Sequence, residues 1–126
     1  VVLCDRFSDA TYAYQGAGRG LDNKFIKLIN DYSSMQLKPD LTLLFDLPVE
    51  IGLNRANKRN DKLKKSSSID RFEKENMDFH KRVRESYLGL LKNDPGRFRL
   101  IDANRDVDTI QEEIRRHISD LINLKT

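Results

Sequence analysis

Four residues near the start of the chain have the types that phosphate chemistry uses: Asp5, Arg6, Tyr14 and Gln15. Asp5-Arg6 directly succeeds the apolar run Val1-Val2-Leu3-Cys4. A carboxylate there can orient a metal-bound water or accept a proton. The guanidinium beside it is a planar fork that matches two phosphate oxygens. A bare Asp-Arg pair is more often a turn cap with a surface ion pair. This pair is not bare: it leads into Phe7-Ser8-Asp9-Ala10-Thr11-Tyr12-Ala13-Tyr14-Gln15-Gly16-Ala17-Gly18-Arg19-Gly20, which shifts the odds toward a ligand site. Farther on, Arg55, Arg59, Asn104 and Arg105 are further candidates for anion or base contacts.

Elements must bring these residues together. Val1 to Cys4 is apolar without alternation and reads as a strand buried on both faces. Ser8 to Tyr14 reads as a short helix or turn, and Gly16, Gly18 and Gly20 as a flexible loop. From Leu21 to about Met35 the residues Phe25, Leu28, Ile29, Tyr32 and Met35 recur at helical spacing. Pro39-Asp40 breaks the chain, and Leu41 to Leu47 is a second buried strand ended by Pro48. Val49 to Arg59 reads as helix, and Asn60 to Ser68 as mobile surface.

A long helix from Ile69 or Asp70 to about Asn93 carries Phe72, Phe79, Val83, Tyr87, Leu90 and Leu91 on one side. Pro95-Gly96 ends it. Arg97 to Ile101 is a third strand. Val107, Ile110, Ile114, Ile118 and Leu121 stripe a last helix. Strands alternating with helices predict an α/β fold with a parallel sheet covered on both faces. Ligands bind such sheets outside the carboxyl ends of the strands. Asp5, Asp46 and Asp102 fall at those ends.

The bulk numbers bound the reading. With 126 residues the chain suits one modest domain, and no repeat or internal boundary is visible. It is 38% hydrophobic and 34% charged, the profile of a helix-rich protein with solvated faces. A formal net charge of +3 suits an anionic small ligand and is too weak to argue for nucleic acid. No aromatic residue interleaves the basic stretch Lys58 to Lys65 to stack bases. One cysteine, Cys4, cannot make an intrachain disulfide. Read as buried, it predicts a reducing, cytoplasmic setting. No apolar run is long enough to span a membrane.

The stretch Asp5 to Gly20 resembles the acceptor-nucleotide signature of the thymidylate kinase family, in its bacterial form. Pro39 to Pro48 is similar to that family's next strand, with its Asp-Leu-Pro end. Arg55-Ala56-Asn57-Lys58-Arg59 resembles the lid, and Asp70-Arg71-Phe72-Glu73 with Phe79 and Tyr87-Leu88 the helix after it. Ile101-Asp102-Ala103 resembles the strand end before the adenine loop. The resemblance implies a nucleoside monophosphate kinase fold of the P-loop type, with the acceptor segment at 5–20 and the lid at about 55–70. It implies phosphoryl transfer from ATP to dTMP with Mg²⁺, in a cytoplasmic homodimer that uses neither nucleic acid nor membrane.

The resemblance also implies roles, residue by residue. Arg6 binds the acceptor phosphate, and Asp5 stands near the transferred phosphoryl and the magnesium shell. Thr11 contacts the thymine edge, and Gln15 lies near the acceptor. Tyr14 packs where a ribose 2′-hydroxyl would sit, which rejects ribonucleotides by exclusion. Arg55 and Arg59 belong to the closing lid, Arg59 being the catalytic one, and closure would exclude water around a loose transition state. Asn57 stands where some bacterial members carry another arginine. Arg71 and Glu73 could organise the lid or simply flank Asp70 as a helix cap. Asn104 and Arg105 line the adenine pocket. No protein side chain is assigned as a dedicated metal ligand.

The sequence contains no Gly-x-x-x-x-Gly-Lys-Ser/Thr loop to cradle donor phosphates. The opening in mid-strand and that lack predict about 80–90 further residues before Val1. They also predict that these 126 residues alone neither transfer phosphate nor form a stable sheet. Two rivals to the dTMP reading are a deoxynucleoside kinase of related fold and a non-catalytic nucleotide-binding or dimerisation piece. Ala13-Tyr14-Gln15-Gly16 favours the monophosphate kinase.

Overall fold

The computed structural model describes residues 1–61 and 70–125. Its elements run in the order α1 Ser8–Thr11, a π-helix Tyr12–Gly18, α2 Asn23–Ser33, β1 Thr42–Asp46, α3 Val49–Asp61, α4 Asp70–Asn93, β2 Phe98–Asp102 and α5 Val107–Lys125. The chain divides into two compact units. One holds Val1–Lys38 and Pro48–Leu90, the other Pro39–Leu47 and Leu91–Thr126.

In the second unit, β1 and β2 pair in parallel, from Thr42 beside Phe98 to Asp46 beside Asp102. A parallel pair needs a long crossover, which the intervening helices supply. The Thr42 amide donates to the Arg97 carbonyl at one end (2.9 Å), and the Ala103 amide to the Asp46 carbonyl at the other (2.9 Å). Ile101 and Phe98 are the buried anchors of this pair, at 0% and 3% exposure. The Arg97 guanidinium lies 4.4 Å from the Phe98 ring centroid and donates to the Thr42 hydroxyl at 2.8 Å. α5 starts on an Asp106 cap: its carboxylate accepts from the Thr109 amide (2.9 Å) and hydroxyl (2.6 Å).

In the first unit the core is small: Ala10, Ala13, Ile26, Val49 and Val83 are its buried apolar residues. Asp22 caps α2 by accepting from the Phe25 amide at 2.9 Å. α2 then ends at Ser33, where Met35 and Gln36 turn left-handed (φ 50° and 60°) ahead of the Pro39-Asp40 break.

Several expectations are corrected. Val1 to Cys4 forms no strand: it is irregular, and Val1, Val2 and Leu3 lie in solvent. A strand needs a neighbour for its amides and carbonyls, and among the described residues none pairs with it. Cys4 is accordingly exposed rather than buried. The α2 stripe is misassigned: Phe25, Leu28, Ile29 and Tyr32 are exposed, and so is Met35 beyond the helix. The buried residues of α2 are Ile26 and Asn30, because the π-helix approaches that other face. Gly16 and Gly18 belong to helical backbone, not to a loop. The expected mobile surface at Asn60 to Ser68 falls mostly at 62–69, outside the described residues.

Candidate functional site

Residues 5–20 are built around the π-helix. Such wide turns are rare and short, and they recur at functional sites. Here two glycines let neighbours grip it. A Cβ at Gly16 would sit 2.6 Å from Oδ1 of Asn23 on α2. A Cβ at Gly18 would sit 2.6 Å from Cε2 of Phe79 on α4. Neither contact has a direct sign in the sequence, since glycines in a row read as punctuation. Ala13 on the same helix is fully buried, and the buried Asn30 amide donates to the Ser8 carbonyl at 3.1 Å. These contacts fix α1 and the π-helix against α2.

Ahead of this helix the chain bends at Asp5 and Arg6. Arg6 has φ 57°, a left-handed conformation that strains a residue with a side chain by about 1–3 kcal/mol. The bend lays its guanidinium over the Tyr14 ring, 4.1 Å from the centroid. A cation over an aromatic face at a surface site returns about 0.5–1 kcal/mol, so it offsets only part of that strain. Tyr14 in turn meets the Phe79 ring edge to face, with centroids 5.9 Å apart at 62°. Arg6 is exposed and Tyr14 half-buried, so the stacked pair lies at the surface.

Tyr87 on α4 belongs to the same neighbourhood. Its phenol pKa is raised, first by burial, then by the nearby Tyr14, Asp9 and Asp5, while Arg6 opposes the rise. In the sequence Tyr87 is only one member of an apolar stripe. The signal that marks it is its spacing of two turns from Phe79 on one face. Arg82, between them, donates from its Nη2 to the Gly18 carbonyl at 3.0 Å. Sequence reasoning does not single it out either, as an arginine among Lys81 and Arg84 looks like solvated surface.

The structure thus brings together Asp5, Arg6 and Tyr14, with Asp9, Phe79, Arg82 and Tyr87 around them. Thr11 and Gln15, half-buried, lie on the same helical stretch as Tyr14. Arg55 is exposed on α3. Arg59 is on the last turn of α3, and its side chain lies outside the described ones, as do those of Arg71 and Glu73.

Asn104 and Arg105 belong to the second unit, just past β2. The Asn104 amide donates to the Asp102 carboxylate at 2.9 Å. The Arg105 guanidinium pairs with Glu113, which raises the arginine pKa and lowers that of the glutamate. His117 stands 3.7 Å from the other Glu113 oxygen. Among the described residues no cluster of three or more His, Cys, Asp or Glu side chains could cage a metal. Asp5 is exposed.

A parallel strand pair joined through helices is an α/β arrangement, consistent with the P-loop kinase fold that the family match gives. The family model described as thymidylate kinase matches residues 1–114, and the chain belongs to that family. It is similar to the thymidylate kinase of Syntrophus aciditrophicus (strain SB), 48% identical over 93% of this chain and 53% of the relative. The thymidylate kinase of Pseudomonas savastanoi pv. phaseolicola is 47% identical over 99% of this chain and 56% of its own length. That of Desulfovibrio desulfuricans is 47% identical over 94% and 54%. The chain therefore spans about half the length of the curated relatives it matches.

Proposed function

We propose that the whole protein transfers the γ-phosphoryl group of ATP to dTMP, giving dTDP and ADP. The observation that carries this reading is the Arg6 guanidinium poised on the Tyr14 ring at 4.1 Å. A nucleoside monophosphate offers a dianionic phosphate next to a sugar, and here a guanidinium fork that suits the phosphate is held against an aromatic side chain that can line the sugar. Arg6 holds the dTMP phosphate. Tyr14 packs on the deoxyribose and leaves no room for a 2′-hydroxyl. Thr11 contacts the thymine edge, and Gln15 lies near the acceptor.

In the transfer, an oxygen of the dTMP phosphate attacks the γ-phosphorus in line as the bond to the β–γ bridging oxygen breaks. Asp5 would orient the water shell of Mg²⁺, which would supply charge neutralisation at the donor phosphates. Arg55 and Arg59 supply positive charge to the donor phosphates. Asn104 and Arg105 are assigned to the donor adenine on the family resemblance. Donor phosphates also need a glycine-rich loop, which these 126 residues do not contain. A cytoplasmic homodimer completes the reading, again on the family resemblance. No described helix is long and apolar enough to cross a membrane.

The test compares dTMP, thymidine and the ribo-analogue of dTMP as acceptors, using the whole protein with Mg²⁺ and ATP. Efficient transfer to dTMP alone supports the reading. Preference for thymidine turns it into a nucleoside kinase, and equal use of the ribo-analogue removes the role given to Tyr14.

A further inference from the structure

Helix α4 grips the acceptor segment at three points within little more than one turn. Phe79 stands edge-on to Tyr14. Phe79 and Val83 close on Gly18 so tightly that a Cβ there would come within 2.6 Å of one and 3.1 Å of the other. Arg82 donates to the Gly18 carbonyl at 3.0 Å. Tyr14 and Gly18 are four residues apart on a wide turn, so both face α4.

The Gly18 carbonyl has a particular need for this donor. The last carbonyls of a helix lack partners within it. In this helix the Gln15 carbonyl accepts from the Leu21 amide at 3.0 Å, and the Gly16 carbonyl from the Gly20 amide at 2.7 Å. Gly18 is buried, and Arg82 reaches its carbonyl from 64 residues away. A buried carbonyl stripped of its donor loses more than an exposed one. A cation at the C-terminal end of a helix is also favoured by the aligned peptide dipoles.

We propose that Arg82 is a positioning residue for the acceptor nucleotide: by holding the last carbonyl of the π-helix it sets where Tyr14, and through it Arg6, stands. Resting on the dTMP reading above, this deepens it with a residue outside the signature segment. Arg82 touches no substrate. It acts through Gly18, then along the helix to the Tyr14 ring, on which the Arg6 guanidinium rests. Phe79 is the second hold on the same ring.

The test uses the whole protein and three forms: wild type, Arg82→Met and Arg82→Lys. Arg82→Met keeps the apolar stem and removes the donor. It is expected to raise KM for dTMP about five- to tenfold with KM for ATP within about twofold. Discrimination against the ribo-analogue is expected to fall by a similar factor, because a displaced Tyr14 excludes a 2′-hydroxyl less well. Arg82→Lys, which keeps a charged donor, recovers most of both. Unchanged KM for dTMP with unchanged discrimination overturns the proposal. So does an equal loss with both nucleotides that Arg82→Lys fails to restore.

If Arg82→Met does not fold, Arg82→Gln replaces it and is read by the same ratios. Amide exchange over residues 12–18 provides a readout that needs no turnover. It is expected to be about tenfold faster in Arg82→Met while α5 amides stay unchanged. Faster exchange in Arg82→Met, alongside a wild type that does not use dTMP, would sink the activity reading and leave the clamp standing. Unchanged exchange overturns the clamp itself.

Discussion

Replacing Gly18 by alanine puts one methyl group where the structure leaves no room. The new Cβ would lie 2.6 Å from Phe79 Cε2, and 3.1 Å from both Phe79 Cζ and Val83 Cγ2. Carbon atoms in good contact sit about 3.5–4.0 Å apart, so the first overlap is about 1 Å. The Phe79 ring cannot simply swing away, because its position against Tyr14 holds it. Overpacking of this kind costs about 1–3 kcal/mol. Alanine returns about 0.5–1 kcal/mol by restricting the unfolded chain and favouring helix. The net expectation is a loss of about 0.5–2 kcal/mol, or about 1–8 °C in Tm for a protein of the relatives' size. The assay is thermal unfolding of the whole protein in a double-mutant cycle with Phe79→Leu. Leucine lacks the two ring atoms that clash, so most of the alanine penalty should vanish in that background, leaving only the Val83 contact. A Gly18→Ala protein as stable as wild type, or one with the same penalty in both backgrounds, would refute the packing at this crossing.

Three other outcomes are expected. Burial raises the Tyr87 pKa above its ordinary 10.0, so the unfolded chain releases that proton first and stability falls as pH rises past about 10. Tyr87→Phe should reduce this alkaline loss in unfolding curves, leaving the shares due to Tyr12 and Lys27, whose pKa values are also raised. Ile101→Ala empties a fully buried position and should cost about 2–5 kcal/mol in denaturant unfolding. The hydrogen bonds from Thr109 hold the Asp106 carboxyl below its ordinary 3.8, so its contribution is present at neutral pH and fades as acid protonates it. Asp106→Ala should therefore lower Tm at pH 7, and the gap from wild type should close below about pH 3.8.

Much of this architecture was legible because local and tertiary signals agreed. α4 stops at Asn93, as Pro95-Gly96 demand. β1 and β2 came from apolar runs bounded by breakers, and both end on the aspartates expected at the sheet edge. The site signature was legible as a string, but its shape was not. Glycines at 16 and 18 normally signal a loop, yet here they are the only residues small enough for Asn23 and Phe79 to approach the helix. Periodicity located α2 but not its buried side, because an apolar stripe says which face can be covered and not what covers it. Val1 to Cys4 has the composition of a strand, but strand formation depends on a partner that composition does not encode. Arg82 carries no local sign of its role, which arises from its hydrogen bond to Gly18, 64 residues away in sequence.

Whether the Arg6 site serves dTMP is decided by steady-state transfer from ATP to dTMP by the whole protein, wild type against Arg6→Met. Two charge-assisted hydrogen bonds to the acceptor phosphate are worth about 3–5 kcal/mol together. The expected result is dTDP from the wild type, and about 10²–10³-fold lower kcat/KM for dTMP in Arg6→Met with KM for ATP nearly unchanged. A wild type that makes no dTDP, or an Arg6→Met protein that makes it as efficiently, would contradict the phosphate-binding role of Arg6 and the dTMP reading built on it.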